Sequence, residues 1–357
     1  MIDPTEKIRY VELVEYDASW ADVFSEAKNT IHSILGNNCL EIHHIGSTAI
    51  PGMCAKPIID MLPVVRDIGV VDSLNHQFEA LGYVCQGEYG IPGRRFYWKS
   101  VNKRTHHIHL FEQGSPEILR HVAFKDFMIV NPTYALAYAL IKKNLAAVFF
   151  DDIENYVDGK ASFVQSIDYK THTARPHQLA AHDDIVIHDY NPAWQKLAEA
   201  EINTIKDIAN LPYVSIEHIG STAVPHLSSK PIIDIFIVLS SLEDAEHWVT
   251  LLETMGYVFW DENPDKAHLR FFKGMPPYGM RRTHHIHIIE ISNNTLENRI
   301  VFRDLLRRDE KTRNEYEKLK LALADSYSHD REEYTDRKTD FIKNALIASG
   351  YKKEILR

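Results

Sequence analysis

An aspartate inside an apolar run is the most unusual residue of this sequence, and it occurs twice. Asp60 ends the stretch EIHHIGSTAIPGMCAKPIID at 41–60, and Asp234 ends the matching stretch SIEHIGSTAVPHLSSKPIID at 215–234. A carboxylate flanked by isoleucines is costly to bury unless a cation or several hydrogen-bond donors satisfy it. Each aspartate is therefore a candidate catalytic or metal-binding residue, because such groups are the usual reason to keep a charge there.

A Gly-Ser turn precedes each aspartate, and twelve residues separate its serine from that aspartate. A turn of this kind after a short strand exposes backbone N–H groups and a hydroxyl, which suit a phosphate at a helix N-terminus. The alternative is an ordinary strand-to-helix turn that Ser or Thr caps. The predicted phosphate-binding residues of the two turns are Gly46, Ser47, Thr48, Gly220, Ser221 and Thr222.

Histidines alternate along a later segment of both copies, in KRTHHIHLFE at 103–112 and RRTHHIHIIE at 281–290. On a strand, His107 and His109 share one face, and so do His285 and His287. Two imidazoles two residues apart make half of a metal site, which needs one or two further ligands. The candidate metal centres are Asp60 with His107 and His109, and Asp234 with His285 and His287.

Simpler explanations exist for both residue types. A histidine on a strand is often a hydrogen-bonded core residue. The strand aspartate could pair with Lys56 or accept N–H bonds from a loop.

Basic residues recur near the same motifs. Arginine and lysine are the usual partners of phosphate oxygens, although exposed and solvated charges are the ordinary alternative. The predicted nucleotide-binding cations are Lys56, Arg95 and Arg104 in the first copy and Lys230, Arg270 and Arg282 in the second. Lys160 and Lys338, near the last helix of each copy, could reach the site or lie at the surface.

The two halves align along their whole length, at an offset of 174 residues up to Tyr83 and of 178 residues from Lys103 onward. A period this long indicates a duplicated domain and not a solenoid. We assign the four extra residues of the second copy to its DENPDKAH loop. The predicted domains are 1–169 and 185–357, joined by a polar linker at 170–184.

Each copy should fold in the same order. The alternating segments VELVEY and IVIHDY suggest a first strand, and Trp20, Phe24, Ala27 and Ile31 lie at helical spacing. A strand then enters HIGST, and KPIIDMLPVV or KPIIDIFIVL is typical of a buried central strand. Helices are expected at 68–81 and 242–255, followed by two more strands and a helical final third. The fold class is therefore α+β, a mixed sheet with flanking helices, twice over.

Composition excludes several classes of protein. With 357 residues, 45% of them apolar, the chain is long enough for two domains with their own cores. The absence of a long apolar run or a secretory leader predicts a cytoplasmic protein with no membrane contact. A net charge of −10 disfavours general nucleic-acid binding, although a local basic pocket remains compatible with it.

The motifs HIGSTAxPxxxxKPIID, HIH, FRDLLR, YEKLKLALA and YTDRKTDFI together resemble the GrpB family, twice, over nearly the whole chain. That family is grouped with the nucleotidyltransferase superfamily, so the resemblance implies such a fold in each copy. It also implies that a Gly-Ser turn binds a nucleoside triphosphate while strand carboxylates hold Mg²⁺. The positions that match are Gly46, Ser47 and Asp60, and Gly220, Ser221 and Asp234.

The chain departs from that superfamily pattern at one place. Where the second strand carboxylate is expected, the two copies have Leu62 and Phe236. A metal-assisted phosphoryl transfer centre needs several ligands, and His107 with His109 could substitute on the neighbouring strand. Imidazole ligands shift the preferred ion from Mg²⁺ toward Mn²⁺ or Zn²⁺.

Three functions are compatible with these patterns. The first is a metal-assisted nucleotidyltransferase that acts on a small molecule or a protein. The second is a tandem module that binds a nucleotide or phosphate ligand without turnover. The third is a structural duplication whose polar residues bond to one another, and the sequence leaves open whether the two copies pair.

Overall fold

The computed structural model describes residues 10–100, 103–175, 184–276 and 278–352, except for the side chains of Ser100 and Asp244. Its first elements follow the apolar spacing of the sequence. Helix α1 (Trp20–Leu35) buries Trp20, Ile31 and Leu35 on one face. Strand β1 (Cys39–Ile45) leads into the Gly-Ser turn, and strand β2 (Ile59–Val65) is buried along its length except at Asp60.

The rest of the first copy supplies three strands and five helices. They are α2 (Ile68–Asp72), α3 (Asn75–Ala80), β3 (Tyr83–Cys85), β4 (Arg94–Ser100), β5 (Arg104–Glu112), α4 (Pro116–Val130), α5 (Pro132–Val148) and α6 (Ile153–Lys170). The sheet has the order β1-β2-β5-β4-β3, in which β2 and β5 run parallel and every other pair is antiparallel. Strand β2 is central because its apolar residues are buried on both faces of the sheet.

The second copy repeats this order. Its elements are α7 (Ala193–Ile208), β6 (Ser215–Ile219), β7 (Ile233–Leu239), α8 (Ala245–Thr254), β8 (Tyr257–Phe259), β9 (His268–Lys273), β10 (His284–Glu290), α9 (Asn294–Arg308), α10 (Glu310–Ser326), α11 (Arg331–Asp336) and α12 (Thr339–Ala348). The sheet order is β6-β7-β10-β9-β8, with β7 and β10 parallel. The predicted α+β class, with a mixed sheet and flanking helices in each copy, is confirmed.

Three details of the predicted elements are wrong. VELVEY and IVIHDY do not form strands; each makes one isolated bridge, Val14 to Ala55 and His188 to Ser229. The helix expected at 68–81 is split into α2 and α3. The helix expected at 242–255 begins with a short 3-10 turn before α8.

The strand registers relocate the four extra residues of the second copy. Tyr83 pairs with Lys99 on β4, and Tyr257 pairs with Lys273 on β9, so the offset is still 174 at the end of both strands. The insertion therefore lies in the β9–β10 connection that begins at Gly274, and the assignment to the DENPDKAH loop is wrong. At this offset Arg270 matches Phe96, so Arg95 is not its counterpart in the first copy.

The described chain divides into two compact units. One contains the described residues up to Ala139 together with Ile167–Ala174, and the other contains Leu140–Ser166, Arg175 and the described residues from 184 onward. The proposed linker at 170–184 falls largely on 176–183, outside the described residues. Within the described part of the chain, no helix is both long and apolar enough to cross a membrane. The boundaries 1–169 and 185–357 stay a prediction about the sequence repeat.

Candidate functional site

Each Gly-Ser turn lies directly against the strand aspartate. Gly46 and Gly220 have φ angles of 70° and 75°, a conformation that favours glycine. A Cβ atom on Gly46 would stand 2.5 Å from Oδ2 of Asp60, and one on Gly220 would collide with Oδ2 of Asp234 in the same way. Only a residue without a side chain lets the turn approach the carboxylate this closely.

The parallel strands bring a histidine to each aspartate. Asp60 is in register with His107, and Asp234 with His285, because β2 runs beside β5 and β7 beside β10. Nδ1 of the histidine lies 3.0 Å from Oδ1 of the aspartate in both copies. Nε2 of His109 lies 3.6 Å from Oδ1 of Asp60.

The predicted metal-ligand trios therefore converge. In each trio the potential ligand atoms lie within 4.8 Å of one another: Asp60, His107 and His109; Asp234, His285 and His287.

The aspartates stay ionised in this setting. Burial alone would raise the pKa of Asp60, but the hydrogen bonds from His107 and His109 outweigh it and hold that pKa well below its usual range. Asp234 also has a lowered pKa, since His285 offsets the effect of burial. Burial lowers the pKa of His109 and of His287, so both rings are neutral at pH 7 and can bind a cation.

One ring nitrogen in each copy lacks a protein partner. Nε2 of His107 and Nε2 of His285 are buried and have no hydrogen-bond partner among the described residues. A buried polar atom without a partner costs free energy, so a ligand or ion that engages it would stabilise the site. The donor set of one carboxylate and two imidazoles fits a divalent transition ion better than Mg²⁺.

Hydroxyl groups hold the turn in place. Thr48 donates to the Ile58 carbonyl at 3.3 Å, and Thr222 donates to the Ile232 carbonyl at 2.9 Å. Both threonine side chains are buried and also contact a histidine of the preceding strand. The turn itself uses these two hydroxyls, and the predicted phosphate role of Thr48 and Thr222 stays a prediction about the backbone N–H groups of the turn.

The serines of the turns have different partners. Ser221 forms a side-chain hydrogen bond with Tyr316, and Ser47 forms one with Tyr138. Burial raises the pKa of Tyr316 to about 12. Each serine also follows directly the glycine that approaches the strand aspartate, and Ser221 lines a cavity in which it can contact a ligand.

In the second copy these groups line a cavity of about 860 Å³. Acidic side chains are few in its wall: Asp234, Glu332 and Asp336. Cationic side chains are many: Lys230, Arg270, Arg282, Arg299, Arg303, Lys320, Arg331 and Lys338. A wall with this excess of positive charge, in a chain of net charge −10, suits a polyanionic ligand.

Two lysines of this wall lie over Tyr334, and a third, Lys320, lies over Tyr316. Nζ of Lys338 lies 4.0 Å from the centre of the Tyr334 ring, and Nζ of Lys230 lies 4.8 Å from it. Lys320 is buried and donates to the Ser228 carbonyl. Burial lowers the pKa of Lys320 to about 7 and that of Lys338 well below its usual value, and repulsion from Lys230 adds to both effects. An anion placed among these ammonium groups would relieve that repulsion.

The sequence motifs did not point to most of this wall. Arg299 and Arg303 lie one turn apart on α9, Lys320 lies on α10 and Arg331 begins α11. Their approach to the sheet depends on how the helices pack, which local sequence does not state. The spacing of four between Arg299 and Arg303 was the one available signal.

The structure places the predicted cations of the first copy differently. Arg95 pairs with Asp72 at 2.6 and 2.7 Å, on the sheet face away from His107, so its predicted nucleotide role is wrong. Arg94 lies on the site face instead, 3.4 Å from Nδ1 of His109. Arg104 stacks over Trp98 at 4.5 Å, and Lys56 is half-buried.

Comparisons with known proteins agree with the repeat. The sequence model of the GrpB protein family matches residues 10–170 and again 184–347. YqkA of Bacillus subtilis is 47% identical over 158 residues, which are 44% of this chain and 46% of that protein. The chain therefore aligns with less than half the length of that relative.

Two solved structures are similar to about half of the chain each. The crystal structure of GrpB from Enterococcus faecalis is 41% identical and covers 45% of this chain and 96% of its own, with a TM-score of 0.44. The Cid1 poly(U) polymerase, at 10% identity and a TM-score of 0.32, covers 49% of this chain and 56% of its own, a likeness too remote to indicate chemistry. With two family matches that together span most of its length, the chain belongs to the GrpB family, as its motifs predicted.

Proposed function

We propose that the second copy binds a nucleoside triphosphate and transfers its nucleotidyl group to a small-molecule or protein acceptor. The supporting observation is the position of Asp234, His285 and the Gly220 turn in the wall of a cavity that eight cationic side chains line. Phosphoryl chemistry depends mostly on positioning and on neutralising charge, and this wall supplies both.

The phosphate chain is assigned to the positive wall. Lys230 and Lys320 both lie within electrostatic range of Lys338, and we call these three residues the lysine cluster. Arg299 also lies within electrostatic range of Lys338. The described residues offer Arg299 no hydrogen-bond or ion-pair partner, so its guanidinium is available to two phosphate oxygens at once. Ser221 and the turn that Gly220 opens would contact the phosphate nearest Asp234.

A divalent ion would be held by Asp234, His285 and His287. When bound, such an ion neutralises charge on the reacting phosphate oxygens, and the ligand set favours Mn²⁺ or Zn²⁺ over Mg²⁺.

In the proposed transfer, an acceptor oxygen forms a bond to the α-phosphorus, the bond to the bridging oxygen breaks, and pyrophosphate leaves. The lysine cluster stabilises the negative charge of that leaving group. In the tautomer that donates from Nδ1 to Asp234, His285 presents an unprotonated Nε2 that would hold the ion, and the acceptor proton passes to solvent water.

A second candidate is nucleotide binding without turnover. Phe236 occupies the position at which a second strand carboxylate would stand, and its ring lies 5.3 Å from that of His287. One carboxylate per copy is few for a phosphoryl transfer centre.

Pyrophosphate release tests the first candidate. The chain is incubated with each nucleoside triphosphate and with Mn²⁺, Zn²⁺ or Mg²⁺, with and without candidate acceptors. We expect Asp234→Asn to lower release at least ~100-fold, because it removes a charge that acts at the reacting phosphate. Asp60→Asn is the matched control, since it makes the same change at the same motif in the first copy.

The outcomes separate the candidates. Release that ignores Asp234→Asn contradicts the transferase. A thermal shift with nucleotide and no product under any condition supports the binding module, because a ligand that binds only the folded state raises stability.

A further inference from the structure

An aromatic wall lies at the opposite edge of the second sheet from Asp234. Trp260 follows β8 directly, lines the cavity, and keeps 36% of its surface exposed. Phe272 lies on the cavity face of β9, opposite His285. Large aromatic surfaces that stay open inside a charged cavity are typical of places where a flat ring stacks.

Cations alternate with these rings. The Arg270 guanidinium lies 5.7 Å from the centre of the Trp260 ring, and the Arg282 guanidinium lies 4.8 Å from that of Phe272. The two rings are 6.1 Å apart. Nε of Arg270 is buried and has no hydrogen-bond partner among the described residues. We define the Trp260 wall as Trp260, Arg270, Phe272 and Arg282.

The distance between the Trp260 wall and Asp234 is comparable to the length of an extended nucleotide. The sheet order places β10, β9 and β8 successively beyond β7, which carries Asp234. Neighbouring strands lie about 4.8 Å apart, so three steps place Trp260 roughly 14 Å from the β7 backbone. An extended nucleotide could reach from the Gly220 turn to the Trp260 wall.

We propose that the Trp260 wall is a nucleobase subsite, which holds the ring of the ligand by stacking while the lysine cluster holds its phosphates. This inference rests on the proposed nucleotide ligand and names the part of the site that binds the base. Stacking engages the face that every base has, so the subsite accepts purines and pyrimidines alike. Arg270 and Arg282 strengthen the stack because a guanidinium attracts an aromatic face.

The competing explanation is structural. Cation–aromatic contacts also form on ordinary sheet surfaces, and the first copy has one of its own between Arg104 and Trp98. If the wall only supports the sheet, Trp260→Ala should lower the stability of the chain, or it should weaken the binding of ATP and of tripolyphosphate to the same extent.

Binding of two matched ligands distinguishes these explanations. The affinities of the full chain for ATP and for inorganic tripolyphosphate, which has the phosphates but no base, are measured by calorimetry at one salt concentration. We expect Trp260→Ala to weaken ATP binding by about 10-fold or more and to leave tripolyphosphate binding within about 2-fold. Trp260→Phe should restore most of the ATP affinity, and Trp98→Ala, the matched tryptophan truncation in the first copy, should change neither.

Base identity provides a second readout. UTP and ATP should lose affinity to a similar degree in Trp260→Ala. In the wild-type chain, ATP but not tripolyphosphate should quench the part of the tryptophan fluorescence that comes from Trp260. Equal weakening of ATP and tripolyphosphate, or no weakening of either, overturns the base subsite while leaving the phosphate site intact. Failure of the wild-type chain to bind either ligand overturns the proposed function together with this inference.

Discussion

The two copies share the turn and differ in the wall around it. Gly46 and Gly220 have nearly the same φ angle, and each approaches a strand aspartate that accepts from a histidine 3.0 Å away. Several cations beyond this centre are shared, such as Lys56 with Lys230 and Arg104 with Arg282, but three are not. At the positions of Arg270, Arg299 and Arg331, the first copy has Phe96, His121 and Ile153.

This difference separates two requirements of a site. The turn and the aspartate depend on one another sterically, since a side chain at the glycine would collide with the carboxylate. The surrounding cations make no such demand on the fold and can differ without disturbing the sheet. The glycine turn and the aspartate therefore do not determine alone which ligand binds, and the charged side chains around them contribute to that choice.

The largest expected effect concerns a buried group of the second copy alone. Glu201 accepts from Lys273 and from Tyr257, each at 2.8 Å, on the sheet face away from the cavity. The first copy has Ala27 at that position, and its Lys99 is half-buried. Glu201→Ala should lower the free energy of unfolding of the second copy by about 3–5 kcal/mol, since it leaves Lys273 charged and unpaired.

Denaturant titration measures that loss. Glu201→Ala combined with Lys273→Met should recover most of it, and a loss under about 1 kcal/mol for the single change would contradict the argument. The pKa of Glu201 is lowered in the folded state: burial opposes this, but Lys273, His284 and Tyr257 together outweigh burial. Its stabilisation is therefore present above the unfolded pKa of 4.5 and is lost as the pH falls through the folded value.

The next effect sharpens the comparison of the walls. Arg299→His gives the second copy the residue of the first. This change should weaken tripolyphosphate binding by about 10- to 100-fold, because a hydrogen bond to a charged group contributes roughly 1.5–3 kcal/mol. Calorimetry measures the affinity, and Arg308→Lys, an exposed change that keeps the charge, is the control. Unchanged affinity would show that Arg299 does not hold the anion.

A third change should affect both copies equally. Gly46→Ala and Gly220→Ala should each cost about 1–3 kcal/mol of stability, from the positive φ and from the collision with the aspartate. Gly52→Ala is the matched control, because Gly52 has a φ of 75° but open space around its Cβ position. Melting temperatures compare the three variants, and equal losses in all of them would remove the collision from the argument.

The smallest effect is a pH dependence. The pKa of Lys320 is about 7, as burial and the neighbouring Lys230 outweigh Glu317. A bound polyphosphate favours the protonated amine and raises that pKa, so affinity should fall several-fold as the pH rises from 7 to 9. Calorimetry in two buffers of different ionisation enthalpy should show proton uptake near pH 7.5. Lys320→Met should abolish that uptake, and uptake that survives the substitution would assign it to another group.

Sequence patterns predicted the centre of the site because its geometry is local. Strand alternation places His107 and His109 on one face, and two parallel neighbours in register bring Asp60 to them. The sequence did not predict Arg299 and Arg331 as site residues, because the rotation of a helix over a sheet is a tertiary property. The prediction for Arg95 is wrong because the counterpart of Arg270 is Phe96, and neighbouring residues of a strand lie on opposite faces of the sheet.

The longer connection between β9 and β10 offers one more consequence. It contributes Met275 to the lining of the cavity. Extra residues in a connection cost little conformational entropy, and the registers on either side are unaffected. A duplicated domain can therefore lengthen the connection beside the cavity of one copy and change which ligand binds there, while the other copy keeps its shorter connection.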